Sequence, residues 1–133
     1  MDIPIKADYA VRAVVELARS EDPVKCRDIA ATQGIPVKFL VQIFSDLRRV
    51  GLVRSKRGAN GGYWLAMSPS DVSVAAVVSA VSGPLVTLQG TSVAHAPESA
   101  CPVWGELDAQ VRRTLEAVSV WDLASRSLAS ARS

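Results

Sequence analysis

Apolar residues recur along the first fifty positions at helical spacing. Ala7, Ala10, Val11, Val14, Val15 and Ala18 are separated by threes and fours, the intervals that one face of an α-helix gathers into a stripe. Glu21-Asp22-Pro23 closes that helix. A short second helix is predicted from about Cys26 to Gln33 and stops at Gly34, because glycine takes the left-handed conformation at a helix end without a Cβ penalty. Pro36 suits the first turn of a third helix, Pro36–Val50. Its buried face is expected to hold Phe39, Leu40, Ile43, Phe44, Leu47 and Val50, with Gly51 as the stop. Two helices joined by a tight Gly34-Ile35 turn, the second longer, make a helix-turn-helix pattern.

Beyond Gly51 the period changes. Leu52-Val53-Arg54-Ser55 and Tyr63-Trp64-Leu65-Ala66 flank Lys56-Arg57-Gly58-Ala59-Asn60-Gly61-Gly62, which predicts a hairpin with a basic, glycine-rich tip. A helix-turn-helix followed by such a hairpin is a winged helix, and Trp64 is expected on the outer face of its strand. Ser73 caps a helix over Val74–Ser82, and Gly83-Pro84 closes it. Residues 84–100 show no period and are expected to form a loop, which at that length is usually functional.

Pro102 opens the last long helix, whose Trp104, Leu107, Val111, Leu115 and Val118 share one face. With the first four helices expected to furnish the core, the natural cover for this stripe is a partner subunit. Ser119 and Asp122 resemble a capping box that starts a final short helix. The predicted class is mainly α with a small β-hairpin: a winged helix-turn-helix plus a long C-terminal dimerisation helix. The division expected is 1–83 for the winged-helix DNA-binding domain, 84–101 for a sensor loop and 102–133 for the dimerisation helix and tail.

Charge sharpens this picture. The net charge is only +2, but residues 1–67 hold 11 basic and 7 acidic residues, and 68–133 hold 4 and 6. Lys38, Arg48, Arg49, Arg54, Lys56 and Arg57 face a lone acid, Asp46, within 38–57, a focused patch suited to a polyanion. Val72–Pro97 contains no charged residue, yet its serines, glycines and prolines argue for a buried helix and a loop rather than a membrane span. Met1-Asp2-Ile3-Pro4 lacks the basic and apolar regions of a secretory signal. Two cysteines make no disulfide framework, so a reduced, cytoplasmic setting is expected. One histidine, no acid pair and no nucleophile–base couple argue against an enzyme.

In a recognition helix the N-terminal half faces base edges. Val37, Lys38, Val41 and Gln42 are the outward positions here. Glutamine matches the adenine N6/N7 edge, lysine reaches guanine or a phosphate, and Val41 is either a thymine-methyl contact or a singly exposed aliphatic residue. Arg48 and Arg49 serve phosphates or cap the helix end. Arg57, with Lys56 and Asn60 beside it, suits a narrow minor groove. The tip glycines serve equally as a plain hairpin turn, whereas a nucleotide-binding loop lacks its Gly-Lys-Ser/Thr.

Lys6-Ala7-Asp8-Tyr9-Ala10-Val11-Arg12-Ala13, Asp28-Ile29-Ala30, Phe39 to Phe44 with Leu47-Arg48, Gly51-Leu52-Val53, and Arg57-Gly58 with Gly61 to Leu65 resemble the Rrf-two family of bacterial winged-helix regulators (IscR/NsrR-like). The ordered blocks run from about residue 1 to 85; beyond Pro84 the resemblance is architectural. It implies a homodimer binding palindromic double-stranded DNA, mostly as a repressor, with Lys38, Gln42 and Arg57 at reading positions. Cluster-bearing members carry three cysteines in the loop before the long helix, and this chain keeps only Cys101 there. The resemblance offers Asp8, His95 and Cys101 as candidate ligands of an iron–sulfur cluster, a set short of thiolates. The alternative readings are a redox thiol at Cys101 or a small buried residue at a helix cap, for His95 a solvated loop residue, and for Asp8 a surface residue of the first helix.

The favoured function is a homodimeric transcription regulator responding to a redox or small-molecule signal near Cys101, the effector itself being unknown. An iron–sulfur sensor and a winged-helix protein–protein module are the alternatives. Cys26 is expected in the core.

Overall fold

The computed structural model describes residues 1–132, with side chains through 126. Six helices and two small hairpins follow in the order α1 (Ile5–Ala18), α2 (Cys26–Gln33), α3 (Val37–Arg49), β1 (Val53–Lys56), β2 (Gly62–Leu65), α4 (Val74–Ser82), β3 (Thr87–Leu88), β4 (Thr91–Ser92), α5 (Val103–Glu116) and α6 (Val120–Arg132). Short 3₁₀ turns cover Pro69–Asp71 and Val93–His95. The mainly α class with a wing hairpin is the one the periodicities predict.

The core forms where α1 crosses the chain's other helices. Ala10 and Ala13 of α1 are fully buried, and their small side chains admit close approach by the larger residues around them. Those are Ile29 of α2, Leu40, Ile43, Phe44 and Leu47 of α3, and Val77 and Val81 of α4. Gly34 ends α2 in the left-handed conformation (φ 66°), and Ile35 just after it is buried, so the turn is pinned from inside.

The α3 face is narrower than its sequence suggests. Phe39 and Val50 are exposed, at 37% and 53%, whereas Leu40, Ile43, Phe44 and Leu47 are completely enclosed. Phe39 sits edge-on to Tyr9 at the rim, with ring centroids 5.7 Å apart. Val50 is the C-cap residue and has left the helical register. Pro36 likewise lies one position outside, as the extended N-cap (ψ 134°) rather than in the first turn.

The C-terminal region also joins the core, which the first four helices do not complete by themselves. Val120 and Ala124 of α6 are buried in the same cluster as α1. Ser119 Oγ accepts from the Asp122 amide at 3.0 Å, and the Asp122 carboxylate accepts from the Ser119 amide at 2.9 Å, a reciprocal capping box. Both bonds hold the Asp122 carboxyl below the usual range. Two backbone bonds, Val74 N–H to the Val118 carbonyl (2.9 Å) and Val120 N–H to the Val72 carbonyl (2.8 Å), stitch this link to the start of α4.

Val118 therefore lies beyond α5, and with Leu115 it packs on Ala7, Val74 and Val78. That end of the predicted stripe is covered within the chain. Trp104 and Leu107 at the other end stay exposed (42% and 38%). The 84–100 segment is not a plain loop either. It carries the β3–β4 hairpin and a 3₁₀ turn, anchored by buried Val86 and Val93. Among the described residues no helix is long and apolar enough to cross a membrane.

Phe44 is enclosed on all sides and stacks on Tyr63 of the wing. Phe44→Ala is expected to cost about 3–5 kcal/mol of unfolding free energy, the range for deleting a large core aromatic, read as a lowered urea midpoint at unchanged slope.

Candidate nucleic-acid interface

With one face of α3 buried, its opposite face points outward. Val37, Lys38, Val41 and Gln42 are all exposed. Val41 is 53% exposed and belongs to neither apolar core cluster.

Asp46 organises the middle of this helix. It is 5% exposed and accepts from Lys6 Nζ at 2.6 Å, Arg49 Nη2 at 3.0 Å and Gln42 Nε2 at 3.3 Å. The Lys6 hydrogen bond chiefly holds its carboxyl below the ordinary value, against a smaller opposing effect of burial. Gln42 spends one N–H on Asp46 and keeps its carbonyl oxygen and second N–H, the pair an adenine edge requires. The acid that the charge count treats as a lone offset is thus a structural hub. Its spacing, four after Gln42 and three before Arg49, is the signal that locates it.

The wing is a two-stranded antiparallel hairpin, Val53 opposite Leu65 through Lys56 opposite Gly62. Val24, in the lead-in to α2, adds a bridge to it: the Val24 and Tyr63 amides and carbonyls exchange bonds of 2.9 and 2.8 Å. Gly62 sits at φ 141°, and a Cβ there would come within 2.7 Å of the Val24 backbone, so this approach requires glycine. Lys25 Nζ donates to the Gly58 carbonyl at 3.0 Å and tethers the tip; nothing in the local pattern singles Lys25 out. Lys56, Arg57 and Asn60 project from the tip, exposed. Among the described residues no ion pair engages Lys38, Arg48, Arg54, Lys56 or Arg57, so their charge is free for a polyanion. Trp64 is half-buried rather than fully outward. It lines a groove with Leu17, Met67 and Trp121.

The other expected site residues lie away from this face. Asp8 is exposed and pairs with Arg12 at 3.3 Å. Cys26, half-buried at the start of α2, packs against the core, and burial pushes its thiol up. His95 and Cys101 are exposed, in the 3₁₀ turn and just before α5. Trp104 and Leu107 of α5 line a small apolar recess of about 170 Å³ with Met1, Val86, Leu88 and Val93.

The Rrf2 profile, described as iron-dependent transcriptional regulator, matches residues 3–126. The chain belongs to the Rrf2 family. It is 42% identical to Rv1287 of Mycobacterium tuberculosis (strain ATCC 25618 / H37Rv), named as an HTH-type transcriptional regulator, over 96% of this chain and 84% of that one. Among solved structures it resembles CymR, the global cysteine regulator of B. subtilis (TM-score 0.80, 30% identity, 95% and 98% of the two chains). It also resembles IscR of T. potens (0.77, 31%, 96% and 88%). The Rrf2 assignment makes the chain a transcriptional regulator of winged-helix fold rather than an enzyme.

The family description implies iron, and the donor set here does not fit an iron–sulfur cluster. Cys101 is the single thiol of the 84–101 segment, and a cluster is ordinarily held by several thiolates. Among the described residues no three His, Cys, Asp or Glu side chains gather around one point.

Asp46 gives a pH signature. A carboxylate lowered on folding stabilises the protein above its unfolded pKa of about 3.9, and that contribution is lost as pH falls through the lower folded value. Asp46→Asn is expected to destabilise by about 1–3 kcal/mol at pH 7. The gap to wild type should begin to narrow in urea titrations as pH falls through about 4 and keep shrinking as pH drops toward the lower folded value; a gap of constant size would show that the charge contributes nothing.

Proposed function

We propose that this Rrf2 chain is a homodimeric repressor that reads palindromic double-stranded DNA in the cytoplasm. In this reading Val37, Lys38, Val41 and Gln42 of α3 address base edges. Arg48 and Lys56 hold phosphates, and Arg57 with Asn60 enters the minor groove. Residues 1–83 form the DNA-binding unit, 84–101 receives the signal, and 102–133 provides the dimer helix and tail. The observation that carries the reading is the unpaired basic set on α3 and the wing, flanking an exposed helix face whose glutamine is held in place by Asp46.

The exposed end of α5 supports the dimer. Trp104 and Leu107, beside Val103 at 45% exposure, form an apolar patch of the sort a second subunit covers. Val111, Leu115 and Val118 continue the stripe inward. A two-fold pair of such chains sets two recognition helices about one DNA turn apart. Cys101 lies exposed at the head of α5, where oxidation would alter the same segment that a small molecule would. Asp8 and His95 are assigned no metal.

Two measurements check this. Gln42→Ala and Arg57→Ala are each expected to weaken binding to the selected operator by about 1–3 kcal/mol in a fluorescence-anisotropy titration; unchanged affinity in both variants sinks the assignment. Operator affinity should also fall steeply and linearly in log–log form as salt rises. A flat salt dependence would instead favour a protein–protein module.

A further inference from the structure

Lys38, Gln42 and Asp46 stand four residues apart along α3, so their side chains follow one another in a row on the helix surface. The first two are exposed. Asp46 is buried, and Lys6 at the start of α1 reaches it from across the fold. Three donors face its carboxylate: Lys6 Nζ on Oδ2, and Arg49 Nη2 and Gln42 Nε2 on Oδ1. An ionised carboxylate accepts hydrogen bonds and cannot donate one. The Gln42 amide must therefore turn its NH2 group toward Asp46. With its two ends exchanged, the amide oxygen would face the carboxylate with no proton between them.

We infer that Asp46 determines base specificity: it fixes the orientation of the Gln42 amide so that the helix accepts adenine and rejects guanine where Gln42 meets the groove. The inference rests on the base-reading role proposed for Gln42 and adds what sets its choice. One N–H of the amide goes to Asp46, so one acceptor and one donor remain for DNA. Adenine offers the complement in the major groove, its N6 amino group as donor and N7 as acceptor. Guanine offers two acceptors, O6 and N7. It would leave one of them unmet and set O6 against the glutamine oxygen, and unpaired polar groups of this kind are what make a hydrogen-bonding site discriminate. A glutamine released from Asp46 has both N–H groups available and can turn them to guanine. Asp46 itself is a positioning residue that acts on the base only through Gln42.

The test joins base preference to side-chain order. Duplexes selected by the full wild-type chain from a random pool are rebuilt with A·T or G·C at each position and titrated by fluorescence anisotropy. At one position wild type is expected to favour adenine over guanine by about tenfold or more, and Gln42→Met should abolish that preference. Asp46→Asn, whose amide can accept or donate, lets Gln42 turn either way. It should bring the ratio within about threefold while affinity for an unrelated duplex holds. A merely structural loss would weaken every duplex alike and keep the wild-type ratio, an outcome that overturns the inference. Should Asp46→Asn fail to fold, ¹⁵N relaxation of the wild-type side chains decides. The Gln42 NH2 group should be as ordered as that of Gln33, which is held between Arg12 and Glu16. Order no greater than that of exposed Gln110 overturns the inference. If Gln42→Met keeps the wild-type preference, the base-reading role fails and this inference with it. If Gln42→Met loses the preference and Asp46→Asn keeps it, this inference alone fails.

Discussion

Phe44 is the joint on which the presentation of the DNA-facing elements depends. It is enclosed by the core on the α3 side and lies flat on Tyr63 of β2, with ring centroids 4.2 Å apart and planes 13° from parallel. Tyr63 in turn exchanges backbone bonds with Val24 at the entrance to α2. One aromatic stack therefore fixes the recognition helix, the wing and the helix-turn-helix lead-in against each other. Without it the exposed residues of α3 and those of the wing tip would keep their chemistry and lose their spacing. Aromatic pairs contribute roughly 0.5–1.5 kcal/mol beyond the area they bury, so much of the value of this stack is geometric.

Charge on this surface is partitioned by burial. Asp46 neutralises Lys6 and Arg49, the two cations close enough to reach it, and leaves Lys38, Arg48, Lys56 and Arg57 unengaged. The pairing costs some positive potential and in exchange orders Gln42 and ties α3 to the start of α1. Exposed pairs such as Asp8–Arg12 contribute little by comparison.

The C-terminal third belongs partly to the core and partly to the surface. α6 inserts Val120 and Ala124 beside α1, and the Val118 and Val120 backbone bonds lock the α5–α6 link to α4. α5 is consequently held at its C-terminal end, while its N-terminal end carries exposed Val103, Trp104 and Leu107. In the proposed dimer, a helix anchored at one end and open at the other is mechanically suited to carry a change in the 84–101 segment to the second subunit.

Local chemistry was legible in the sequence wherever neighbours along the chain decide the outcome. The helical periods of α1 and α3, the left-handed Gly34, the Ser73 cap on α4 and the Ser119–Asp122 box involve residues at most a turn or so apart. The exposure of Lys38 and Gln42 followed from the period of α3, and that of Arg57 from its place at the glycine-rich hairpin tip. Tertiary structure alone decided what depends on which elements meet. Phe39 and Val50 fit the apolar spacing of α3 but lie past the edge of what α1 and α4 cover. Asp46 reads as a surface acid until the start of α1 brings Lys6 to it across forty residues. Val118 and α6 read as an appendage until they meet α4 and α1. Periodicity tells which face of an element is apolar; only packing tells how much of that face finds a partner and where a cavity is left between them.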